Sequence, residues 1–135
     1  MRKNRVARFL GAVYTDRVLE LAYFAMLSLF IAHELDAVKR HEWRVLHLTS
    51  FLPENIGEQV FIWAHVPLFL LLFLSAGLEA SSPTAYGLST FSIIHVGLHI
   101  GFRNHPQYEF NNLSSWMIIA GAWIFGALHL FVGLV

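Results

Sequence analysis

The sequence contains no cysteine, which removes disulfide frameworks, thiolate nucleophiles, zinc ribbons and cysteine-held iron–sulfur clusters. Redox chemistry, if present, has to use a bound metal or cofactor. The same absence leaves the compartment open, because such a chain suits either side of a membrane. Charge is scarce as well: 13% of residues are charged, against roughly 25% in an ordinary soluble domain. Nine Lys plus Arg balance nine Asp plus Glu for a net charge of +0, so no broad basic face exists to meet phosphates and nucleic acid drops out as a partner. Internal repeats and low-complexity tracts are also missing. What is present is apolar: 56% of the 135 residues are hydrophobic and 15% aromatic. A soluble domain of this size cannot hide that much apolar surface. Residues 1–135 therefore read as a single all-α integral membrane domain whose first partner is the lipid bilayer.

Crossing about 30 Å of hydrocarbon at about 1.5 Å per residue takes a run of about twenty apolar residues. Four segments qualify: 18–33, with helix continuing to about residue 38, then 56–78, 85–102 and 113–135. The first is the weakest, because Glu20 stands near its start and His33, Glu34 and Asp36 load its end. The expected architecture is four transmembrane helices in an antiparallel bundle, with Ser81, Ser82 and Pro83 forming the tight turn between the second and third. Segment 41–52 mixes Trp43, Leu46, Leu48 and Phe51 with Glu42, Arg44 and His47. That mixture predicts a short interfacial piece between helices one and two, anchored by Trp43.

The N-terminal MRKNRVARFL resembles the basic start of a signal peptide, but Thr15, Asp16 and Arg17 interrupt it before an apolar core is complete. It reads as a basic lead-in lying on the membrane surface. Arg2, Lys3, Arg5, Arg8 and Arg17 on that flank outweigh Lys39, Arg40, Arg44 and Arg103 on the other by one charge, which points to both termini being cytoplasmic.

Eight histidines are the unusual count. Once the helices run up and down, His33, Glu34, Asp36, His65, His95 and His99 all come towards one face of the bilayer, while His129 lies towards the other. In the third segment Ser89, Ser92, His95, His99 and Arg103 follow three- and four-residue steps and share one stripe, and His33 and Asp36 point the same way on the first. Ser115, Ala122, Gly126, His129 and Gly133 form a small-residue stripe on the fourth, of the kind that lets helices approach closely in lipid.

Ionisable groups inside a membrane are costly, face the bundle interior and mark a pathway or a site. His33, Asp36, His65, His95 and His99 offer imidazole nitrogens and a carboxylate oxygen, a set that suits zinc, iron or manganese. Glu34 or Glu58 is expected either to support the ligands from behind or to accept a proton, and Glu34 is the catalytic candidate if the protein is an enzyme. Such an enzyme is expected to act on an apolar small molecule or lipid arriving laterally, with the metal activating water or oxygen. Three readings compete. His95 and His99 serve as hydrogen-bonded core histidines in one, with the protein a non-enzymatic accessory subunit or scaffold of a larger membrane complex. In another, His65 and His95 clasp haem b between two helices. His129 reads as a packed, hydrogen-bonded core residue in all of them.

The stretches IAHELDAVKRHEWRVL, FIWAHVPLF, HVGLH and FRNHPQYEF resemble a family of small bacterial integral membrane proteins of unknown function, over about residues 20–130. The resemblance implies a membrane bundle in a bacterial inner membrane and names no reaction. The chain is also similar, more distantly, to the HXXEE family over residues 33–37, where His33 and Asp36 match the histidine and the first acid and Ala37 stands in place of the second.

Overall fold

Long apolar runs with no strand-like alternation leave the backbone one way to satisfy its own polar groups where water is absent, and that is the helix. The computed structural model describes residues 2–134, with side chains described from Gly11 onward. Among these residues lie four α-helices, α1 (Arg2–Lys39), α2 (Glu54–Ala76), α3 (Pro83–Phe102) and α4 (Leu113–Leu134), with a 3-10 turn at Glu42–Arg44 between the first two. Gly11–Lys39, Glu54–Ala76 and Leu113–Leu134 are long and apolar enough to cross a membrane. Helix α3 has 20 residues, but serines, threonine and two histidines dilute its hydropathy.

The boundaries follow local chemistry. Pro53 cannot continue a preceding helix and sets the N-terminus of α2. Ser82 caps α3 by accepting from the Ala85 N–H, with Pro83 at the first helical position. Asn112 caps α4, its Oδ1 accepting from the Ser115 N–H at 2.9 Å. Helix α1 begins earlier than the first apolar run, because its backbone continues through the basic segment without a break. The side chains of that lead-in, and Val135 at the end of the fourth run, lie outside the described residues.

Packing is uneven. Helix α4 lies along both α1 and α3, whereas α2 touches α1 and the 3-10 turn and barely meets α3. One apolar cluster centres on Tyr23, Met26, Phe30 and Leu72. A second, around Trp43, Phe61, Tyr108, Phe110 and Ile119, lies under the 41–52 segment. Close approach of α3 and α4 depends on Gly126, where an added Cβ would run into Ser92 Oγ. The small-residue face of α4 is buried at Ser115, Ala122, Gly126 and His129, whereas Gly133 at its end is exposed.

Within segment 41–52, the Trp43 side chain departs from expectation. His41 adopts φ 53°, in the left-handed region, and turns the chain back over the end of the bundle. Trp43 is consequently 3% exposed instead of reaching an interface, while Leu48 and Phe51 stay outside. The Trp43 indole donates to Glu54 Oε1 at 3.2 Å, and Arg44 ties the segment to Glu54 and to Glu109 at 2.8 and 3.0 Å.

Candidate metal centre

Three imidazoles from two helices meet at one point. His33 is positioned near the end of α1, and His95 and His99 stand one turn apart on α3. Their Nε2 atoms form a triangle: 2.7 Å from His33 to His95, 3.3 Å from His33 to His99 and 3.2 Å from His95 to His99. Glu42, on the 3-10 turn, closes the group with Oε2 at 3.7 Å from His33 Nε2 and Oε1 at 3.7 Å from His99 Nε2. Four ligand atoms, one from each residue, lie within 4.8 Å of one another. A metal at about 2.0–2.1 Å from tetrahedral nitrogen ligands spaces them about 3.3 Å apart, so two sides of the triangle already match and the third has to open slightly.

The surroundings fix the rings. His99 turns Nδ1 to the Tyr108 hydroxyl at 3.2 Å, leaving Nε2 for the centre. Phe30 stands edge-on to His95 and Phe110 edge-on to His99, at centroid separations of 5.6 and 4.6 Å. His33 is 1% exposed and its Nδ1 is buried without a hydrogen-bond partner, so the ring is held by packing and by the contacts of its Nε2 with His95 and His99. Burial, reinforced by the nearby Glu34, pushes the Glu42 carboxyl up to about 8. Burial, with Glu42 next, pushes the Tyr108 phenol up to about 12. A dication among these groups reverses the penalty on Glu42, because an opposite charge favours the carboxylate.

Of the residues singled out from the sequence, the structure brings His33, His95 and His99 together and leaves two elsewhere. Asp36 accepts a hydrogen bond from Ser115 Oγ and pairs with Arg40 at 3.3 Å, joining α1 to the start of α4. His65 sits beside Glu34, with Nε2 3.0 Å from Oε2, and turns Nδ1 to the Phe61 carbonyl at 2.7 Å. Glu58 is exposed on α2. Glu42 is the carboxylate that sequence reasoning missed. Its signal was its neighbour Trp43, a residue suited to burial, but the left-handed turn at His41 that aims both inward is not visible in a composition pattern.

Three of the histidines that share a depth, His33, His95 and His99, thus meet in one contact. A family of unknown function, DUF6713, matches residues 19–135. The chain belongs to DUF6713. That match includes every residue of the His33, Glu42, His95 and His99 group. No curated protein and no solved structure matches this chain, so chemistry has to be argued from the group itself. Ala37, which occupies the place of a second acid in the HXXEE-like stretch, is fully buried against the Trp43 cluster.

Proposed function

We propose that this DUF6713 chain is an integral membrane protein that holds a divalent metal ion through His33, Glu42, His95 and His99 and uses it on an apolar or lipid-like substrate. The observation that carries the reading is the convergence of three Nε2 atoms with a buried carboxylate beside them. Three neutral imidazoles without a cation gain little from facing one another, since each ring has one N–H and one lone pair to place. Around zinc, iron or manganese all three lone pairs and the carboxylate have a common partner.

The same reading has all four helices crossing an inner bacterial membrane as an antiparallel bundle. Supporting it, α3 is joined to α2 by a short turn and packs along α4. The end of α1 meets the start of α4 through Asp36 and Ser115, and its middle meets the end of α4 where Tyr23 packs on His129. An even number of crossings puts both termini on one side, and the charge margin noted above favours the cytoplasm.

Haem is disfavoured, because His95 Nε2 converges with His33 and His99 and not with His65, whose Nδ1 is bound to the Phe61 carbonyl and whose Nε2 faces Glu34. The accessory-subunit reading is separated by one measurement, elemental analysis of purified protein beside His95→Ala and His99→Ala. About one metal ion per chain in the wild type and a loss of most of it in each variant supports the metal reading. Metal-free wild type that co-purifies with other membrane proteins replaces it with the subunit reading.

A further inference from the structure

Glu34 and His65 take no part in the metal group, yet both are buried and face each other. The Phe61 carbonyl can only accept, so His65 Nδ1 carries the proton that binds it and Nε2 is left facing Glu34 Oε2 at 3.0 Å. Nε2 has no hydrogen-bond partner, and the Glu34 carboxylate is the polar group beside it.

Glu34 and His65 share a cavity of about 310 Å³ with Glu42, His95 and His99. The remaining wall is largely apolar and comes from α2, with Ala64, from α3, with Leu98, from Phe30 of α1 and from Leu46, Leu48 and Thr49 of the 41–52 segment. Helices α2 and α3 barely touch, and both Ala64 and Leu98 are exposed. The cavity thus lies between α2 and α3 and is bordered by the 41–52 segment, with exposed residues of both helices at its edge, a largely apolar lining, and polar groups where the metal group and the Glu34–His65 pair meet it. Its volume is at the lower end of the roughly 300–1,000 Å³ usual for small-molecule sites, enough for one slim chain.

We propose that this cavity binds a single-chain amphiphile that enters from the lipid between α2 and α3, its oxygen-bearing head lying between the metal group and the Glu34–His65 pair. The proposal rests on the metal reading above. The apolar wall takes the chain, the ion takes a head-group oxygen, and the Glu34 carboxylate beside His65 accepts a hydrogen bond from the same head group. A two-chain phospholipid does not fit the volume, so the bilayer lipids surround the mouth without filling it.

The test uses the full chain in phospholipid nanodiscs loaded with Co²⁺, whose visible bands report its ligands. Acetohydroxamate and octanohydroxamate are titrated into wild type, Ala64→Trp and Leu98→Trp, which narrow the cavity from opposite walls, and into Glu34→Gln. The octano compound is expected to shift the bands at a concentration at least tenfold below the aceto compound in the wild type. Either Trp variant is expected to abolish most of that chain-length advantage while leaving the unliganded Co²⁺ spectrum unchanged. Glu34→Gln weakens both hydroxamates without releasing Co²⁺. Retention of the full chain-length advantage in both Trp variants overturns the proposal, because simple partition into the bilayer then explains it. Equal potency of the two compounds in the wild type overturns it too, with the metal reading intact. Absence of Co²⁺ bands overturns the metal reading and this one together.

Discussion

The hydroxyl of Tyr108 lies 3.2 Å from Nδ1 of His99, across the ring from the Nε2 that meets His33 and His95. Tyr108 is buried in the segment between α3 and α4 and is held neutral by that burial. It orients the ring from outside the ligand group, and such partners of metal-bound histidines typically account for about 10–100-fold in affinity. Tyr108→Phe keeps the aromatic packing against Phe110 and removes only the hydroxyl. A fall in metal affinity within that range, measured by competition with a chelator at unchanged thermal stability of the metal-free protein, is the expected result. Equal affinity would show that packing alone orients His99.

Glu42 gives the metal-free protein a distinctive response to pH. Its folded carboxyl titrates at about 8, above its ordinary value of 4.5, because burial penalises the charged form. The folded state therefore binds this proton more tightly than the unfolded state. Stability from that preference is fully present below the ordinary value and is lost as pH rises through about 8. Metal-free wild type is expected to lose thermal stability between pH 5 and pH 8, and Glu42→Gln to lose less, as followed by unfolding in mild detergent. Metal loading reverses the wild-type trend, since the ligand has to be ionised and binding releases a proton. Parallel pH curves for the wild type and Glu42→Gln without metal would remove Glu42 from this account.

How much of this was legible in the sequence depended on distance along the chain. Helical periodicity placed Ser89, Ser92, His95 and His99 on one stripe, and the structure buries Ser89, Ser92 and His99 there, because a single helix fixes that relationship without help from the rest of the fold. Depth within the apolar runs brought His33 to the level of His95, since rise per residue is nearly constant. Rotation about the helix axis was the weak step. Asp36 is three residues beyond His33, yet it looks towards Ser115 on α4 while His33 looks towards α3. Glu42 was out of reach for another reason: the turn at His41 rests on one unusual backbone angle, and hydropathy carries no information about it.

Gly126 sets how closely α3 and α4 approach. A Cβ there meets Ser92 Oγ and sits 3.1 Å from the Ser89 carbonyl oxygen, which belongs to the α3 backbone and cannot swing aside. Gly126→Ala thus forces the helices apart, at a cost of about 1–3 kcal/mol of the overpacking kind. Because His95 and His99 are carried by the same helix, their triangle with His33 is disturbed as well. The expected outcome is a lower unfolding temperature together with weaker metal binding. Gly97→Ala, where no atom lies within 4 Å of the new Cβ, serves as the neutral comparison.

At the opposite end from the metal group, His129 ties three parts of the chain together. Its Nε2 lies 2.8 Å from the Ala80 carbonyl in the turn between α2 and α3, so Nε2 carries the proton, and Nδ1 accepts from Ser89 Oγ at 2.8 Å. Tyr23 and Tyr86 pack on the ring at centroid separations of 5.2 and 5.1 Å. His129→Ala strands two buried polar groups and leaves a hole between the tyrosines, which together cost about 2–5 kcal/mol. The loss is read as a lower unfolding midpoint in mild detergent, with metal stoichiometry unchanged in the protein that remains folded. Adding Ser89→Ala separates the two causes. If the hydrogen bond matters, the double variant is less destabilised than the sum of the single ones, because the shared bond is counted in both. Strict additivity would leave the hole as the whole effect and reduce the Ser89 bond to a bystander.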